Sequence, residues 1–515
     1  MNKSESTFLF FITLAYALLW WLLAPSLGYL LDSDGVAYLT IARRVAEGDF
    51  QKSINGLWSP LNSWLLVPFI KLGFNAWEVA KVFNFCVGLC ILVLVNKLNQ
   101  LFIEDGRMRK LMLLPLPIVM IYFSYFQMFG DLLQLIFIIA YLCVLYSKSF
   151  QFQTSYLVFA GVLIGIGFYA KAYAFIFLVI HSGIFYGIHF WNLTIDKRQL
   201  IRALSITIGT TLLIMAPWIF ILHQKYQVWS LTGLAGKLNM SWYILSHKTF
   251  RPDIHLLIPP TYNDSPSFWE DPYGSQGKLS SPLTSFYCFG RWLLRVGHTI
   301  LMAVKCYSQL TLLSIPFLMW VISRFYKLRF SLKKWLPELQ LLLTILIFPV
   351  GYLTMHIETR YIWLSAFLLL ILMFRYVTHY KTILNFTKRS GVMLVILCSF
   401  TLFPIYDLWN LRYKNQDLFI MADQLKQRNV KGKFASDIDE EGQMWVVAYL
   451  SNSVNYTIEQ DQFAVEELMP ELKRYEIDFF IADKSTTVDY NENKDFRTWF
   501  PNVQQLSGGQ LLYSR

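Results

Sequence analysis

The chain has 515 residues, of which 55% are hydrophobic, 17% aromatic and only 15% charged. Soluble proteins carry charge on about 25% of their residues, so this composition excludes an ordinary soluble enzyme and a disordered chain. It indicates a protein that crosses a membrane several times and has a water-exposed portion. The six cysteines show no spacing typical of a zinc site or a disulfide framework.

The net charge of +11 is unevenly distributed along the chain. Residues 411–515 contain 12 basic and 17 acidic side chains, which leaves 33 basic and 17 acidic for the hydrophobic remainder. Because the positive excess lies entirely in the hydrophobic part, it predicts basic loops on the cytoplasmic face of a membrane. It does not predict a nucleic-acid partner.

Hydropathy predicts a membrane all-α fold, a polytopic bundle of about eleven transmembrane helices. A hydrocarbon core of about 30 Å requires about 20 apolar residues per crossing helix. The stretch from Ser155 to Trp191 exceeds one crossing and is interrupted by Lys171, so it is interpreted as two spans. The first span is interpreted as an uncleaved anchor. The predicted spans are Phe8–Leu30, Ala76–Val95, Leu111–Tyr125, Leu132–Tyr146, Ser155–Ala170, Tyr173–Phe190, Ala203–Leu222, Val296–Ile322, Leu336–Leu353, Tyr361–Tyr376 and Gly391–Leu408.

Basic residues recur in alternate loops of this topology. By the positive-inside rule the face that carries them is cytoplasmic, which places the N-terminus inside and the residues after the last span outside. The opposite, outer face then holds two long loops, 31–75 and 223–295, and the second is predicted to be a structured lid. The basic residues are Lys97, Arg107, Arg109, Lys110, Lys148, Lys197, Arg198, Arg202, Arg324, Lys327, Arg329, Lys333, Lys334, Arg375, Lys381, Lys388 and Arg389.

The pattern changes near residue 411, so residues 1–410 are predicted to form the membrane domain and 411–515 a periplasmic α/β domain. Hydrophobic periodicity in this tail predicts alternating short helices and strands. It contains no nucleotide-binding motif. The predicted helices are Leu418–Arg428, Met444–Leu450 and Val465–Tyr475, and the predicted strands are Lys433–Ser436, Val454–Ile458, Phe479–Ala482 and Leu511–Tyr513.

Four polar features lie within or beside otherwise apolar segments, where charge is costly and a functional site is the default hypothesis. The first, Asp32-Ser33-Asp34-Gly35, precedes a stretch with helically spaced apolar residues that predicts a helix in the outer interface. Asp34 is a candidate general base. The competing interpretation is that Asp34 only caps this helix, while Arg43 and Arg44 touch lipid headgroups.

The other three features lie at later turns of the same predicted face. Asp131 begins the fourth span, and a helix N-cap is its alternative role. Lys171 separates the fifth and sixth spans, and it is either a phosphate ligand or a lysine that reaches the interface. His356-Ile-Glu358-Thr-Arg360-Tyr361 lies between the ninth and tenth spans, and an internal Glu358–Arg360 ion pair is its alternative. Together these groups offer carboxylates for base catalysis and cations for a phosphate.

These motifs resemble a known family. Asp34-Gly-Val-Ala-Tyr38, with the later Gly48, resembles the first outer loop of polyprenyl-phosphate-sugar glycosyltransferases of the GT-C fold, relatives of protein O-mannosyltransferases and lipid A aminoarabinose transferases. Glu358-Thr-Arg360-Tyr361 is similar to the family's Glu-x-Arg-Tyr element. Asp131 is similar to the acidic residue at the start of its fourth span, and 161–171 to its glycine-rich span that ends in a basic residue. The resemblance covers most of residues 1–410 by layout and few positions by identity.

The resemblance implies an inverting transfer of a sugar from a polyprenyl monophosphate to a lipid, glycan or protein acceptor. Asp34 would be the base, but the family often has adjacent Asp and Glu, so Asp32 stays an alternative. Lys171 and Arg360 would hold the phosphate, with Arg43 and Arg44 as further candidates. The implied supporting or substrate-binding residues are Tyr38, Asp131, His356, Glu358 and Tyr361. No cofactor is expected, and no metal need be invoked.

Three other functions fit parts of the sequence. A transporter or flippase is expected to show an internal repeat and charges at mid-membrane, and the sequence shows no repeat. A polysaccharide polymerase or ligase differs mainly in using a diphosphate-linked donor. A non-catalytic assembly protein would use the tail to bind a partner. An outer α/β tail favours a bacterial inner membrane as the location.

Overall fold

The computed structural model describes residues 3–515 except 127–129, 193, 232–233, 246–255, 273–278, 328–334, 380–385, 439–441, 459–462 and 484–489. Four basic residues of the predicted cytoplasmic loops, Arg329, Lys333, Lys334 and Lys381, lie outside the described residues, as do parts of the predicted loop 223–295.

The part of the chain up to residue 410 is almost entirely helical. Its helices are α1 (Lys3–Leu27), α2 (Ser33–Glu47), α3 (Phe50–Ser53), α4 (Pro60–Lys71), α5 (Ala76–Phe102), α6 (Gly106–Leu113), α7 (Leu116–Phe126), α8 (Gly130–Leu145), α9 (Thr154–Ala170), α10 (Tyr173–Trp191), α11 (Lys197–Tyr226), α12 (Ala235–Leu245), α13 (Phe286–Leu310), α14 (Ser314–Lys327), α15 (Leu336–Ile347), α16 (Val350–Leu353), α17 (Trp363–His379) and α18 (Phe386–Asn410). Two short 3-10 helices are found at Phe268–Glu270 and Thr359–Ile362.

Many of these helices are long and apolar enough to cross a membrane, so the chain is an integral membrane protein. Within the described residues, eight segments meet this requirement, and one bent helix pair raises the number to nine. Two further apolar helices, α8 and α9, are shorter. The eight segments are Lys3–Leu27, Ala76–Phe102, Gly106–Tyr125, Tyr173–Trp191, Lys197–Tyr226, Leu336–Leu353, Thr359–Thr378 and Ser390–Asn410.

The predicted eighth span, Val296–Ile322, is not one straight helix. The structure has α13 and α14 at an angle of 107° to each other. The helical conformation is interrupted at Thr311, whose backbone is extended at φ −164° and ψ 136°. Pro316 suits the first turn of the new helix, where its missing N–H costs no hydrogen bond. The Ser314 hydroxyl donates to the Tyr307 carbonyl at 2.7 Å and satisfies a group that the break exposes.

The interpretation of residues 155–191 as two helices agrees with the structure, in which Lys171 lies between α9 and α10. The helix at the centre of the bundle is α17, whose side chains are buried on nearly all sides. Trp363 at its start stacks on Phe123 of α7 with ring centroids 4.2 Å apart. A helix that is apolar all round is stable only when it is surrounded by other helices or lipid.

The tail supplies five strands of a six-stranded sheet that is flanked by helices. The strands lie in the order β1-β3-β2-β4-β6-β5, and β3, β2 and β4 are parallel while the other pairs are antiparallel. The strands are β1 (Leu257–Ile258), β2 (Lys433–Ser436), β3 (Val454–Ile458), β4 (Phe479–Ala482), β5 (Asn502–Gln505) and β6 (Leu511–Ser514), and the helices are α19 (Gln416–Gln427), α20 (Gln443–Ser451), α21 (Val465–Arg474) and α22 (Lys494–Trp499).

Side chains of successive strand residues point to opposite faces of this sheet. Phe479 and Ile481 pack with α19, α20 and helix α2, whereas Phe480 and Ala482 pack with α21 and α22. The edge strand β1 comes from the predicted outer loop 223–295. The tail therefore shares its sheet with that loop and one of its two cores with α2, and a domain boundary at residue 411 stays a prediction.

Candidate active site

The four polar features meet at one end of the helix bundle. Asp34, Asp131, Lys171, Glu358 and Arg360 form a continuous set of ion pairs, called the charged cluster below. They come from the start of α2, the start of α8, the turn between α9 and α10, and the segment before α17. The prediction that these turns lie on a common side agrees with this geometry.

Helix α2 places its two acidic residues differently. The Asp32 carboxylate is the N-cap and accepts a hydrogen bond from the Gly35 amide at 2.9 Å. Asp34 lies within the first turn, and its Oδ2 is 3.5 Å from Nη1 of Arg360. Its Oδ1 accepts a hydrogen bond from the Trp269 indole N–H at 3.1 Å. Asp32, and not Asp34, is therefore the residue that caps this helix.

Asp131 and Lys171 form a direct ion pair across two helix ends. The pair depends on Gly130, because a Cβ there would collide with the Ala170 carbonyl, one residue before Lys171. The Lys171 ammonium lies 4.4 Å from the centre of the Tyr361 ring. Burial lowers the pKa of Lys171, while Asp131 opposes that shift. Lys171 thus points into the charged cluster and is not a lysine extended to the lipid interface.

The Arg360 guanidinium is the centre of the charged cluster. Its Nε lies 2.9 Å from Oε2 of Glu358 and 3.9 Å from Oδ2 of Asp131. Its Nη2 lies 3.1 Å from the Tyr361 hydroxyl. The predicted Glu358–Arg360 ion pair is present, but the same guanidinium also faces Asp34 and Asp131, so a purely local pair does not describe it.

His356 connects the charged cluster to Arg295, a residue that the sequence did not indicate as part of the site. Its Nε2 is 2.9 Å from Oε1 of Glu358, and its Nδ1 is 3.0 Å from Nη2 of Arg295 on α13. The Arg295 guanidinium lies over the Tyr243 ring at 4.4 Å. Arg295 is the last residue of the predicted loop 223–295, directly before the predicted eighth span. With Arg295, three cations balance the three carboxylates.

The pKa values of the Asp34 and Glu358 carboxyl groups are shifted in opposite directions. Burial raises the pKa of Asp34 above its ordinary value, and Arg360 and the Trp269 hydrogen bond oppose the shift only in part. Burial also acts to raise the pKa of Glu358, but Arg360 and His356 outweigh it and hold that pKa at about 2. A carboxylate with a raised pKa is the better proton acceptor at neutral pH, which favours Asp34 over Glu358 as a base.

Tyr38 and Trp269 surround Asp34. Tyr38 is buried on α2 near Asp131, and its hydroxyl would be 3.4 Å from a Cβ at Gly130. Trp269 comes from the loop between α12 and α13, and sequence reasoning did not select it. The aromatic and acidic segment Phe268-Trp-Glu-Asp271 was the available signal, because a short run of this composition in a long loop is unusual.

Arg43 and Arg44 have partners outside the charged cluster, and their role at the donor phosphate stays a prediction. The buried Arg44 guanidinium binds Glu270 and Asp264 of the loop. The Arg43 guanidinium lies 4.0 Å from the centre of the Tyr449 ring on α20. It lines a cavity of about 510 Å³ between α2, α5 and the tail. The helical period places Arg43, nine positions after Asp34, about 180° from it around α2, and Arg44, ten positions after it, about 80° from it.

Among the described residues, no group of three or more His, Cys, Asp or Glu side chains is arranged to hold a metal ion. The six cysteines are unpaired thiols, four of them exposed or half-buried.

Comparison of the sequence with protein-family models and with curated proteins finds no match. The structure, in contrast, is similar to crystal structures of ArnT from Cupriavidus metallidurans. The form bound to undecaprenyl phosphate has a TM-score of 0.54 at 12% identity, over 98% of this chain and 97% of that chain. The apo form has a TM-score of 0.55 at 12% identity, over 99% and 98%.

The chain has the ArnT fold. ArnT is a lipid A aminoarabinose transferase of the GT-C fold, so the resemblance predicted from the motifs is confirmed at the level of fold. At 12% identity the likeness concerns the fold. The roles of individual residues therefore rest on the geometry described above.

Proposed function

We propose that this protein is an integral-membrane inverting glycosyltransferase that moves a sugar from a polyprenyl-phosphate donor to an acceptor at the outer face of the membrane. The observation that carries the proposal is the convergence of Asp34 with Lys171 and Arg360 at one end of the bundle. The ArnT fold supports it, since one ArnT structure is bound to undecaprenyl phosphate.

In this reaction Asp34 accepts the proton of the acceptor hydroxyl. The acceptor oxygen attacks the anomeric carbon from the face opposite the phosphate, and the bond between that carbon and the phosphate oxygen breaks. The leaving group is a polyprenyl monophosphate that carries the electron pair. Because this group is already anionic, it needs cations more than a proton donor. Lys171, Arg360 and Arg295 supply three positive charges within the same set of contacts.

The donor phosphate shares these cations with carboxylates that are already in place. Lys171 pairs with Asp131, and Arg360 faces Glu358 and Asp34. The carboxylates fix the positions of the two cations before the donor arrives, and such preorganisation lowers the cost of stabilising charge on the leaving group. Asp131, Glu358, His356, Tyr361 and Tyr38 are therefore proposed as supporting residues.

We also propose eleven membrane crossings with a cytoplasmic N-terminus and the tail in the periplasm. The eight long segments, the bent pair and the two shorter helices α8 and α9 supply this number. At the bundle end proposed to be cytoplasmic, Glu5 pairs with Arg109, and Lys110 lies 2.7 Å from the Ser4 hydroxyl. These basic residues belong to the charge bias on which the orientation is based. Reporter fusions after Arg109 and after Tyr413 should report opposite sides.

An assay of the donor class separates this function from a polymerase or ligase and from a flippase. The purified protein in lipid nanodiscs is incubated with a labelled sugar on a polyprenyl monophosphate or on a polyprenyl diphosphate, together with candidate acceptors. Transfer from the monophosphate and release of polyprenyl phosphate support the proposal. Transfer from the diphosphate alone indicates a polymerase or ligase. Movement of the intact lipid across a vesicle membrane without transfer indicates a flippase.

A further inference from the structure

The outer loop is attached to α2 by a buried ion-pair network that the proposed reaction does not use directly. Arg44 Nη2 donates to Oε2 of Glu270 at 2.9 Å and to the Ser265 hydroxyl at 3.1 Å, and its Nη1 reaches Asp264 at 3.0 Å. Both Arg44 and Glu270 are almost fully buried. Truncating one partner would leave an uncompensated buried charge, so the network fixes this part of the loop to α2.

The residue next to Glu270 is Trp269, and its contacts join three parts of the molecule. Its indole N–H donates to Oδ1 of Asp34 at 3.1 Å. Its carbonyl accepts the indole N–H of Trp58 at 3.1 Å, from the chain between α3 and α4. Its ring stacks on Trp445 of α20 with centroids 5.6 Å apart and planes 26° apart. Trp269 therefore links Trp445 of the tail to the proposed base.

We infer that Trp269 is a positioning residue for the Asp34 carboxylate, and that the Arg44–Glu270 pair holds Trp269 in place. This inference rests on the proposed function, because it assigns a role to the loop and the tail in orienting the proposed base. With Oδ1 bound by Trp269, the Asp34 carboxylate is held in one rotamer and Oδ2 is the oxygen on the side of Arg360. A base that is held in one orientation avoids the loss of rate that a misplaced group causes.

The same hydrogen bond affects the protonation of Asp34. An N–H donor stabilises the ionised form of a carboxylate. Burial already raises the pKa of Asp34, so removal of the Trp269 hydrogen bond should raise that pKa further. The titratable and charged groups that face Asp34 are Tyr38 on α2, Asp131 on α8, Lys171 between α9 and α10, Tyr243 on α12, and Glu358, Arg360 and Tyr361 before α17. A Trp269 substitution changes none of these, so it isolates the contribution of the indole N–H.

The test is the pH dependence of kcat/KM for transfer from a polyprenyl-monophosphate sugar, measured on the full-length protein in nanodiscs. Trp269→Phe keeps an aromatic ring and removes the N–H. We expect the acidic midpoint of its profile to move upward by about one pH unit, which lowers kcat/KM about 10-fold on the acidic side. Trp445→Phe is the matched control, because its indole N–H is bonded to Thr457 at 2.9 Å, and it should keep the wild-type midpoint.

A Trp269→Phe profile that superimposes on the wild-type profile overturns the inference, as does an equal shift in Trp445→Phe. Glu270→Gln provides a second measurement, since it loosens the anchor and leaves Trp269 unchanged. It should shift the midpoint in the same direction by a smaller amount, and an unshifted midpoint overturns the role of the pair. If Trp269→Phe does not fold, Glu270→Gln alone decides. Failure of the wild type to transfer sugar contradicts the proposed function instead.

Discussion

Replacement of Arg360 by Lys keeps the positive charge and removes the planar, branched shape of the guanidinium. In the structure this group contacts Glu358 through Nε and Nη2 at 2.9 and 3.3 Å, and Asp34 through Nη1 at 3.5 Å. A lysine ammonium cannot bridge these two carboxylates in the same way, because it is a single point charge on a flexible chain. We therefore expect Arg360→Lys to lose the contact with one carboxylate and the orientation of any bound phosphate.

The loss of one charge-assisted hydrogen bond costs about 1.5–3 kcal/mol, which corresponds to about 10- to 100-fold in a rate or affinity. We expect kcat/KM for the donor to fall by this factor, since Arg360 acts on the donor phosphate. The assay measures initial rates with the donor varied at saturating acceptor, and then the reverse. Arg428→Lys, an exposed tail residue bonded to Gln504 at 3.1 Å, is the matched control. Wild-type donor kinetics in Arg360→Lys, or a defect confined to the acceptor, would refute the reasoning.

Two further predictions concern a second cation of the charged cluster and the buried loop anchor. Lys171→Arg should reduce donor kcat/KM less than Lys171→Ala, because Arg retains a charge beside Asp131 while Ala leaves that carboxylate with the more distant Arg360 at 3.9 Å; equal losses in initial-rate assays would argue against a charge role. Arg44→Ala should reduce the free energy of unfolding by about 3–5 kcal/mol, because it leaves Glu270 buried without its partner. Denaturation in detergent measures this change, and a stability within 1 kcal/mol of wild type, on the scale of an exposed pair, would contradict it.

The residues of the charged cluster were predictable from the sequence because each interrupts an apolar stretch. Asp131, Lys171 and Glu358 stand out against their neighbours, and the predicted order of the spans places them on a common side. The prediction could not say which acidic residue of α2 faces the cluster. That choice depends on Asp32 forming the N-cap, which turns Asp34 inward.

Other contacts were not predictable because they join distant parts of the chain. The hydrogen bond between Trp269 and Asp34 connects residues 235 positions apart, and no local pattern indicates it. Hydropathy averaged over a window also does not reveal the interruption of the helix at Thr311, because both helices that flank it are apolar. Strand β5 (Asn502–Gln505) was missed for the opposite reason, because all four of its residues are exposed and lack the hydrophobic alternation of a half-buried strand.

The role of Asp34 as general base is tested most directly by the turnover of two matched variants, Asp34→Asn and Asp32→Asn, with a polyprenyl-monophosphate sugar donor. An amide at position 34 keeps the shape and cannot accept the proton, so kcat should fall by about 10²–10⁴-fold, the usual contribution of a general base. Asn is as good an N-cap as Asp, so Asp32→Asn should remain within a few-fold of wild type. Near-normal turnover in Asp34→Asn together with an inactive Asp32→Asn would contradict the assignment.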